Sequence, residues 1–226
     1  MIALAIDLSS RQGSLALFRD GEAIGSSSWG QHRGDAQALF REWPTLLKQI
    51  GVRPDHIHLY ICGRGPGTFS GLRISLSSAQ AAALPNQARV YAISSGEAIA
   101  TNVAGEHAVQ SVMVVGNARR GKIWLGRFSK TERDGLDLSG GWKLIETNEF
   151  LAHSNAATVL VSPHFDQLRE ILPAEALADD RWIAKNLCPH AIEVGRAAIQ
   201  HIENGDPSEP LSPLYLHSPV AKTAVS

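Results

Sequence analysis

Residues 63–73 combine glycines, hydroxyl groups and arginines at a spacing that could bind an anion: Gly-Arg-Gly-Pro-Gly-Thr-Phe-Ser-Gly-Leu-Arg. Glycine lets the backbone take positive φ and lets another group approach closely. The segment leads into a predicted helix, whose first backbone N–H groups favour negative charge. Thr68 and Ser70 add hydroxyls, while Arg64 and Arg73 add positive charge. A tight strand-to-helix turn without a ligand is the alternative, because the sequence fits neither the Walker A motif nor G-x-G-x-x-G.

The same glycines predict a turn that tolerates substitution poorly. We expect positive φ at Gly67 and Gly71, where a Cβ would cost about 1–2 kcal/mol. Replacing either glycine should therefore lower the stability of the fold.

Asp7 and Ser9 follow an apolar run, Ile2 to Ile6, that is typical of a buried central strand. In α/β folds, ligand groups collect at the carboxyl ends of such strands. An Asp at this place helps to hold the metal–phosphate group in actin-like ATPases. The alternative is that Asp7 caps the turn into residues 11–13 through its own side chain.

Asn117 opens a second predicted hairpin, at a position where an actin-like kinase would carry an Asp. An amide can donate a hydrogen bond but has no charge for a metal or base role. Arg119 and Arg120, which follow, could meet phosphate or RNA, or could be solvated turn residues. The candidates for proximity to phosphate or nucleotide are Asp7, Ser9, Gly65, Gly67, Thr68, Ser70, Gly71 and Asn117.

Several other function classes are excluded or disfavoured. The sequence has no G-x-S-x-G elbow, no HExxH or HxxxH pair and no CxxC, so neither a serine nucleophile nor a metal site is predicted. The net charge of -1 differs from that of a strongly basic nucleic-acid binder. No apolar run approaches the ~18 residues that would span a bilayer. The first ten residues lack a basic n-region, so we expect a cytoplasmic protein without a membrane segment.

The spacing of apolar residues predicts two similar halves, with the boundary near 104–106 and lobes at 1–104 and 105–226. The first half should contain strands at 2–6, 14–18 and 22–28, a helix at 35–50, a strand at 57–62, a helix at 72–84, a strand at 89–93 and a helix at 94–103. The second should contain strands at 109–116, 122–128 and 142–146, a helix at 147–152, a strand at 159–161 and helices at 164–172 and 189–203.

Three strands followed by alternating helix and strand predict a mixed sheet with helices on its faces. Two such units in tandem indicate a duplicated actin-like α/β fold (ASKHA, ribonuclease H-like), as in actin, hexokinase and the heat-shock chaperone ATPases.

Two helices of the first half carry a candidate partner surface. The helix at 35–50 has six large apolar residues, more than a strip of ~100° needs, so some should point outward. Pro44 should kink this helix or begin its second half, and the alternative is that all six residues are core. The helix at 72–84 is rich in small residues that allow close approach. The predicted interface residues are Leu39, Phe40, Trp43, Leu47, Arg73, Leu76, Ala79 and Ala83.

Five segments resemble the TsaB (YeaZ) family in order and spacing. They are residues 4–9, 63–74, 92–95, 117–121 and 213–216, so the resemblance covers nearly the whole chain. The glycine segment is the specific part, since the family typically has G-x-GPGSFTG-x-R-x-G. Pro213-Leu-Tyr-Leu216 is a second, independent match.

The resemblance implies the actin-like fold and a role in making threonylcarbamoyladenosine on tRNA. Family members are non-catalytic partners of TsaD, which carries the metal site and the transfer chemistry, and a small ATPase, TsaE, joins the assembly. The helices around 39–50 and 72–84 would then contact TsaD or a second copy of the chain. The chain would bind no cofactor alone, ATP or ADP would bind only at a joint interface with the partner, and tRNA would be reached indirectly.

The sequence departs from the family at places near this surface and the cleft. Ala38 stands where a His is common, with His32 the nearest upstream; Ser75 replaces a Gly and Asn117 an Asp, and residues 44–51 and 80–89 look short. A diverged member with altered partnering is one alternative. Others are a self-associating paralogue without a tRNA role and a small ATPase or phosphotransferase of the same fold, against which Asn117 argues.

Overall fold

The computed structural model describes residues 1–31, 37–131, 135–154 and 158–216. The first sheet contains Ile2–Asp7 (β1), Gln12–Arg19 (β2), Glu22–Gly30 (β3), Leu59–Gly63 (β4) and Arg89–Ile93 (β5). The second contains Ser111–Arg119 (β6), Lys122–Lys130 (β7), Leu136–Glu146 (β8), Val159–Ser162 (β9) and Trp182–Asn186 (β10). The helices are Ala38–Ile50 (α1), Phe69–Ala83 (α2), Ser95–His107 (α3), Phe150–His153 (α4), Phe165–Ile171 (α5), Ala174–Leu177 (α6) and Ala191–Asn204 (α7).

Both sheets have the same topology. The strand order is β3-β2-β1-β4-β5 in the first and β8-β7-β6-β9-β10 in the second. In each sheet the first three strands pair antiparallel as hairpins. The fourth strand pairs in parallel with the first, and the fifth strand pairs in parallel with the fourth. The predicted duplicated actin-like α/β fold is confirmed.

β1 is central because it is apolar on both faces. Leu4 and Ile6 pack with α1 and α2 on one face of the sheet. Ala3 and Ala5 pack with α7 on the other face, where their small side chains let that helix come close. At Gly195 of α7 a Cβ would lie 2.2 Å from Phe18 Cε2, so the contact with the sheet requires glycine there.

Helices α3 and α7 lie between the two sheets. α7 packs on the first sheet although it follows the second in the chain. α3 packs through Ile99 and Val103 on the inner face of the second sheet, whose outer face is covered by α4, α5 and α6. The predicted boundary at 104–106 lies inside α3, and α7 completes the core of the opposite lobe.

The helix pair is joined by ionisable side chains. Glu97 Oε1 of α3 lies 2.6 Å from His201 Nε2 of α7. The hydrogen bond with Glu97 raises the pKa of His201, against the effect of burial. Burial raises the pKa of Glu97, which the contact with His201 opposes.

Several elements differ from the sequence-based expectation. α1 runs continuously through Pro44, and the first two residues of the predicted helix, together with His32, lie outside the described residues. α2 begins at Phe69 rather than at Leu72, which places Gly71 in its first turn. β8 begins six residues before the predicted strand, because Gly140 and Gly141, which indicate a turn in sequence, form an irregularity within the strand. α6 and β10 were not predicted.

Candidate functional site

The Asp7 carboxylate is buried at the end of β1 and is occupied by internal contacts. Oδ1 accepts hydrogen bonds from Ser9 N at 2.8 Å and Ser9 Oγ at 2.7 Å, and Oδ2 accepts from Ser95 Oγ at 2.6 Å. Burial raises the pKa of Asp7, although the hydrogen bonds from Ser95 and Ser9 act in the opposite direction. A Cβ on Gly63 would lie 1.9 Å from Oδ2, so the neighbouring strand closes over the carboxylate. The contacts with Ser9 cap the turn that leaves β1, and the contact with Ser95 joins Asp7 to the start of α3.

The glycine loop packs directly on the end of β1. Thr68 N donates to Ser9 O at 2.8 Å, and Thr68 Oγ1 donates to Leu8 O at 3.0 Å. A Cβ on Gly67 would lie 2.1 Å from Ser9 O, and one on Gly71 would lie 2.0 Å from Leu8 O. Both glycines are therefore required by the close approach of two backbones.

The expected positive φ at Gly67 and Gly71 was wrong. Positive φ occurs instead at Gly65, with a value of +104°. Gly65 N donates to Ser95 Oγ at 3.1 Å, and Ser94 Oγ donates to Gly65 O at 3.2 Å. Gly65 thus joins the loop to the start of α3.

The predicted phosphate-proximal residues divide into three groups. Asp7, Ser9, Gly65, Gly67, Thr68 and Gly71 meet in one contact cluster at the end of β1, which Gly65 joins through Ser95. Ser70 is exposed on the first turn of α2. Asn117 belongs to the second sheet.

Asn117 repeats the turn-capping role of Asp7 in the other lobe. Its Oδ1 accepts from Arg119 N at 2.7 Å, two residues on, as Asp7 accepts from Ser9 N. The side-chain amides of Asn117 and Gln167 lie 3.0 Å apart. The lobes meet nearby, where Arg11 Nη1 lies 3.1 Å from Asp166 Oδ2 of α5.

Arg64 and Arg73 bind the C-terminal segment, residues 206–216, and are not directed at an open anion site. The Arg64 side chain is 11% exposed, and its Nη1 lies 2.6 Å from Glu209 Oε2. Arg64 Nε also donates to Ser212 O at 2.9 Å. Arg73 Nε donates to Tyr215 Oη at 2.7 Å, and its guanidinium lies 3.9 Å from the Phe69 ring centroid. The sequence left an anion site and a turn without a ligand as alternatives for this segment, and the contacts of both arginines favour the turn without a ligand.

The C-terminal segment returns to the first lobe and lies beside the glycine loop. Glu209 N donates to Ala92 O at 3.0 Å, and Leu214 N donates to Arg64 O at 2.8 Å. Glu209 Oε1 accepts from Ser94 N at 3.0 Å. The roles of Glu209 and Ser95 were missed from sequence. The available signals were the Ser94-Ser95 pair at the start of the predicted helix at 94–103 and the Pro213-Leu-Tyr-Leu216 match, to which no role was given.

Most of the predicted interface residues are core residues. Leu39, Leu47, Leu76, Ala79 and Ala83 are buried between the helices and the first sheet, which corrects their assignment to an exposed surface. Trp43 is half-buried, with its ring 5.8 Å from that of Tyr60. Phe40, 59% exposed, and Arg73 remain on the surface. Most of the apolar residues of α1 are core residues because one face of the helix covers the first sheet.

His164 lies near the contact between the lobes and has a perturbed pKa. It follows β9, is buried, and packs edge-on against Trp124 at 6.2 Å between ring centroids. Burial lowers the pKa of His164 to about 4, and the positive charges of Arg11 and Arg119 act in the same direction. The folded state therefore holds this imidazole neutral.

We expect acid to destabilise the fold through His164. Its pKa falls from an ordinary 6.5 to about 4 on folding, so its contribution to stability is present above pH 6.5 and is lost as the pH falls towards 4. The loss amounts to about 2–3 kcal/mol. Urea unfolding at pH 7 and pH 4 measures this loss. The free energy of unfolding lost between the two pH values should be about 2–3 kcal/mol smaller in His164→Phe, which keeps a ring against Trp124, than in the wild type. Equal pH dependence of the wild type and His164→Phe would contradict the assignment.

Among the described residues, no group of three or more His, Cys, Asp or Glu side chains could hold a metal ion. None of the helices in those ranges is long and apolar enough to cross a membrane.

Comparison with known proteins identifies similar chains. The family described as "TsaD: tRNA N6-adenosine threonylcarbamoyltransferase" matches residues 32–172. The chain is 27% identical over 128 residues to the tRNA threonylcarbamoyladenosine biosynthesis protein TsaB of Bacillus subtilis (strain 168), which covers 57% of this chain and 55% of that protein. It is 26% identical over 151 residues to the protein of the same name from Escherichia coli (strain K12), and this match covers 67% of this chain and 62% of that protein. The matched stretch thus spans somewhat more than half the length of these curated relatives.

Among solved structures, YeaZ from Pseudomonas aeruginosa is similar over almost the whole chain. It is 25% identical, with a TM-score of 0.79, and the match covers 95% of this chain and 99% of that one. The similarity therefore includes both lobes and the helices between them.

Proposed function

This chain belongs to the family of tRNA N6-adenosine threonylcarbamoyltransferases, as a TsaB (YeaZ) member, and from this premise we propose that it is a subunit for threonylcarbamoyladenosine (t6A) modification of tRNA. In this proposal it is a non-catalytic scaffold that acts through a TsaD-like catalytic partner. A TsaE-like ATPase joins the assembly, tRNA is reached through the partner, and the assembly is cytoplasmic. ATP or ADP binds at the joint interface and not to this chain alone.

The observation that supports the scaffold role is that the polar groups of the glycine loop are bound within the chain. Its backbone is packed on Ser9 and Leu8, and Arg64 is paired with Glu209. The Asp7 carboxylate is fully engaged with Ser9 and Ser95. The groups that an actin-like ATPase would direct at phosphate and metal therefore stabilise a surface, and we assign the transfer chemistry to the partner.

The surface that this packing builds has the composition of a binding hot spot. Phe69 stacks on Tyr215 with 5.1 Å between ring centroids, and Arg73 lies over Phe69. Phe69 and Tyr215 are 57% and 43% exposed. Phe40 is exposed on α1, which packs on the same face of the sheet as α2. Aromatic and arginine side chains contribute most of the binding energy in typical interfaces, so we place the partner here.

Phe40→Glu is expected to weaken binding of the TsaD-like partner strongly without unfolding the chain. An exposed side chain contributes little to folding, whereas a charge buried in an apolar contact costs about 2 kcal/mol or more, a weakening of about thirtyfold. Isothermal titration calorimetry with the purified partner measures this effect. Leu151→Glu, at an exposed leucine of α4 in the second lobe, should bind as the wild type does.

Size-exclusion light scattering of the chain alone tests the self-associating alternative. A dimer that Phe40→Glu converts to a monomer would place a second copy on the same surface. Wild-type protein that is monomeric and does not bind the partner would overturn the assignment of this surface.

The biological role is tested by analysing modified nucleosides of tRNA after the protein is depleted. We expect t6A to fall and to be restored by wild-type chain and by Leu151→Glu, but not by Phe40→Glu. Unchanged t6A on full depletion would exclude the proposed function.

A further inference from the structure

The pairing of β7 with β8 contains a large irregularity. Leu125 pairs with Lys143 and Arg127 pairs with Ser139, so three residues of β8, 140–142, lie opposite Gly126. Gly140 and Gly141 both have φ of +73°, a conformation that glycine adopts without steric cost. Bulges of this kind bend a strand and redirect the side chains beside them, and they are frequent next to binding sites.

A cavity of about 250 Å³ opens beside this bulge on the outer face of the second sheet. Met113 and Leu125 contribute apolar atoms to its lining, and both belong to the core beneath. Arg127, Lys143 and His153 supply its nitrogen groups, from β7, β8 and the end of α4 respectively. Three separate elements thus bring hydrogen-bond donors to one concave site.

The cavity is positively charged. Arg127 and Lys143 line it, and among the described residues no Asp or Glu does. Arg127 Nη2 donates to His153 O at 3.1 Å, a contact that holds the guanidinium at the rim. A guanidinium has five N–H donors in a planar fork, so others are available to a ligand.

We propose that this cavity binds a phosphate group through Arg127 and Lys143. A guanidinium fork matches two oxygens of a phosphate, and an ammonium group adds a point charge. The phosphate belongs either to an RNA backbone or to a small phosphate-bearing molecule. The site lies in the second lobe, on different elements from α1 and α2, so it stands whether or not the proposed partner binds to those helices.

The first test uses pyrophosphate and inorganic phosphate with the full chain. Saturable binding is expected by isothermal titration calorimetry at low ionic strength, weakened about tenfold or more in Lys143→Gln and in Arg127→Gln, since each removes a hydrogen bond to a charged group. Lys185→Gln, at an exposed lysine of β10, should bind as the wild type does. Because Arg127 also contacts His153, Lys143→Gln keeps the test decisive if the arginine variant is unstable.

The second test distinguishes the two sources of phosphate. Unmodified tRNA is titrated with the chain by fluorescence anisotropy over a range of salt. If the site holds an RNA phosphate, Lys143→Gln weakens binding and lowers the salt slope by about one, while Lys185→Gln does not. Binding of pyrophosphate alone, sensitive to Lys143, assigns the site to a small molecule. No binding of either probe, or binding that is equal in wild type and Lys143→Gln, overturns the proposal.

Discussion

Gly71→Ala is expected to lower the free energy of unfolding by about 3 kcal/mol. The new Cβ would lie 2.0 Å from Leu8 O and 2.5 Å from Thr68 Oγ1. Leu8 O belongs to the backbone that leaves the central strand, so it cannot move as the end of a flexible side chain would. Relief requires separation of α2 from β1, which also breaks the contact between Thr68 and Leu8.

Gly105→Ala is the matched control for this prediction. Gly105 lies within α3, its φ is not positive, and a Cβ there would meet nothing within 4 Å. Alanine in an exposed helix position is more favourable than glycine by about 1 kcal/mol, so this variant should be slightly more stable than the wild type. Urea unfolding followed by circular dichroism measures both. Equal midpoints for Gly71→Ala and Gly105→Ala would show that the loop is not the tight junction described above.

Glu209→Ala is expected to cost about 2–3 kcal/mol and to release the C-terminal segment. Glu209 accepts from Arg64 Nη1 at 2.6 Å and from Ser94 N at 3.0 Å. Its loss removes this counter-charge from the largely buried Arg64 guanidinium, which keeps the hydrogen bond from its Nε to Ser212 O. Arg73 would also lose the Tyr215 hydroxyl if the segment leaves the surface.

Two control variants distinguish loss of the ion pair from a general effect of removing an acidic side chain. Glu209→Gln keeps the shape and one acceptor, so its loss of stability should be intermediate. Glu203→Ala, at the exposed end of α7, should change stability by less than about 0.5 kcal/mol. Hydrogen exchange at residues 208–216 reports release of the segment. Unchanged protection in Glu209→Ala would contradict the proposed role of the ion pair.

The sequence by itself determined the strands and helices whose burial is regular. The run from Ile2 to Ile6 and the segment Leu59–Gly63 contain no charged residue and form the interior strands β1 and β4. Ala191–Asn204 follows a helical spacing of apolar residues along its whole length. Repetition of the same element order then indicated the duplicated fold. Local patterns suffice here because burial on one face gives a periodic spacing of apolar residues, and burial on both faces gives a continuous apolar run.

The sequence also located the glycine loop but gave the wrong reason for two of its glycines. A positive φ and a close backbone contact both favour glycine. Which of the two applies at Gly67 depends on Ser9, more than fifty residues earlier in the chain. The periodicity of α1 likewise could not show that Leu39 and Leu47 face the sheet while Phe40 faces outward, because that depends on how the helix is rotated on the sheet.

Only the tertiary structure decided what the charged residues do. Arg64 and Ser212 are 148 residues apart in sequence, and Arg64 and Glu209 are 145 apart. Likewise α7 packs on the first sheet, which its position in the chain does not reveal. Charge and hydrogen-bonding capacity are properties of a residue, whereas the partner that satisfies them is set by which distant segments meet when the core closes. For that reason two arginines beside a glycine loop indicated an anion site in sequence and fasten the C-terminal segment in the fold.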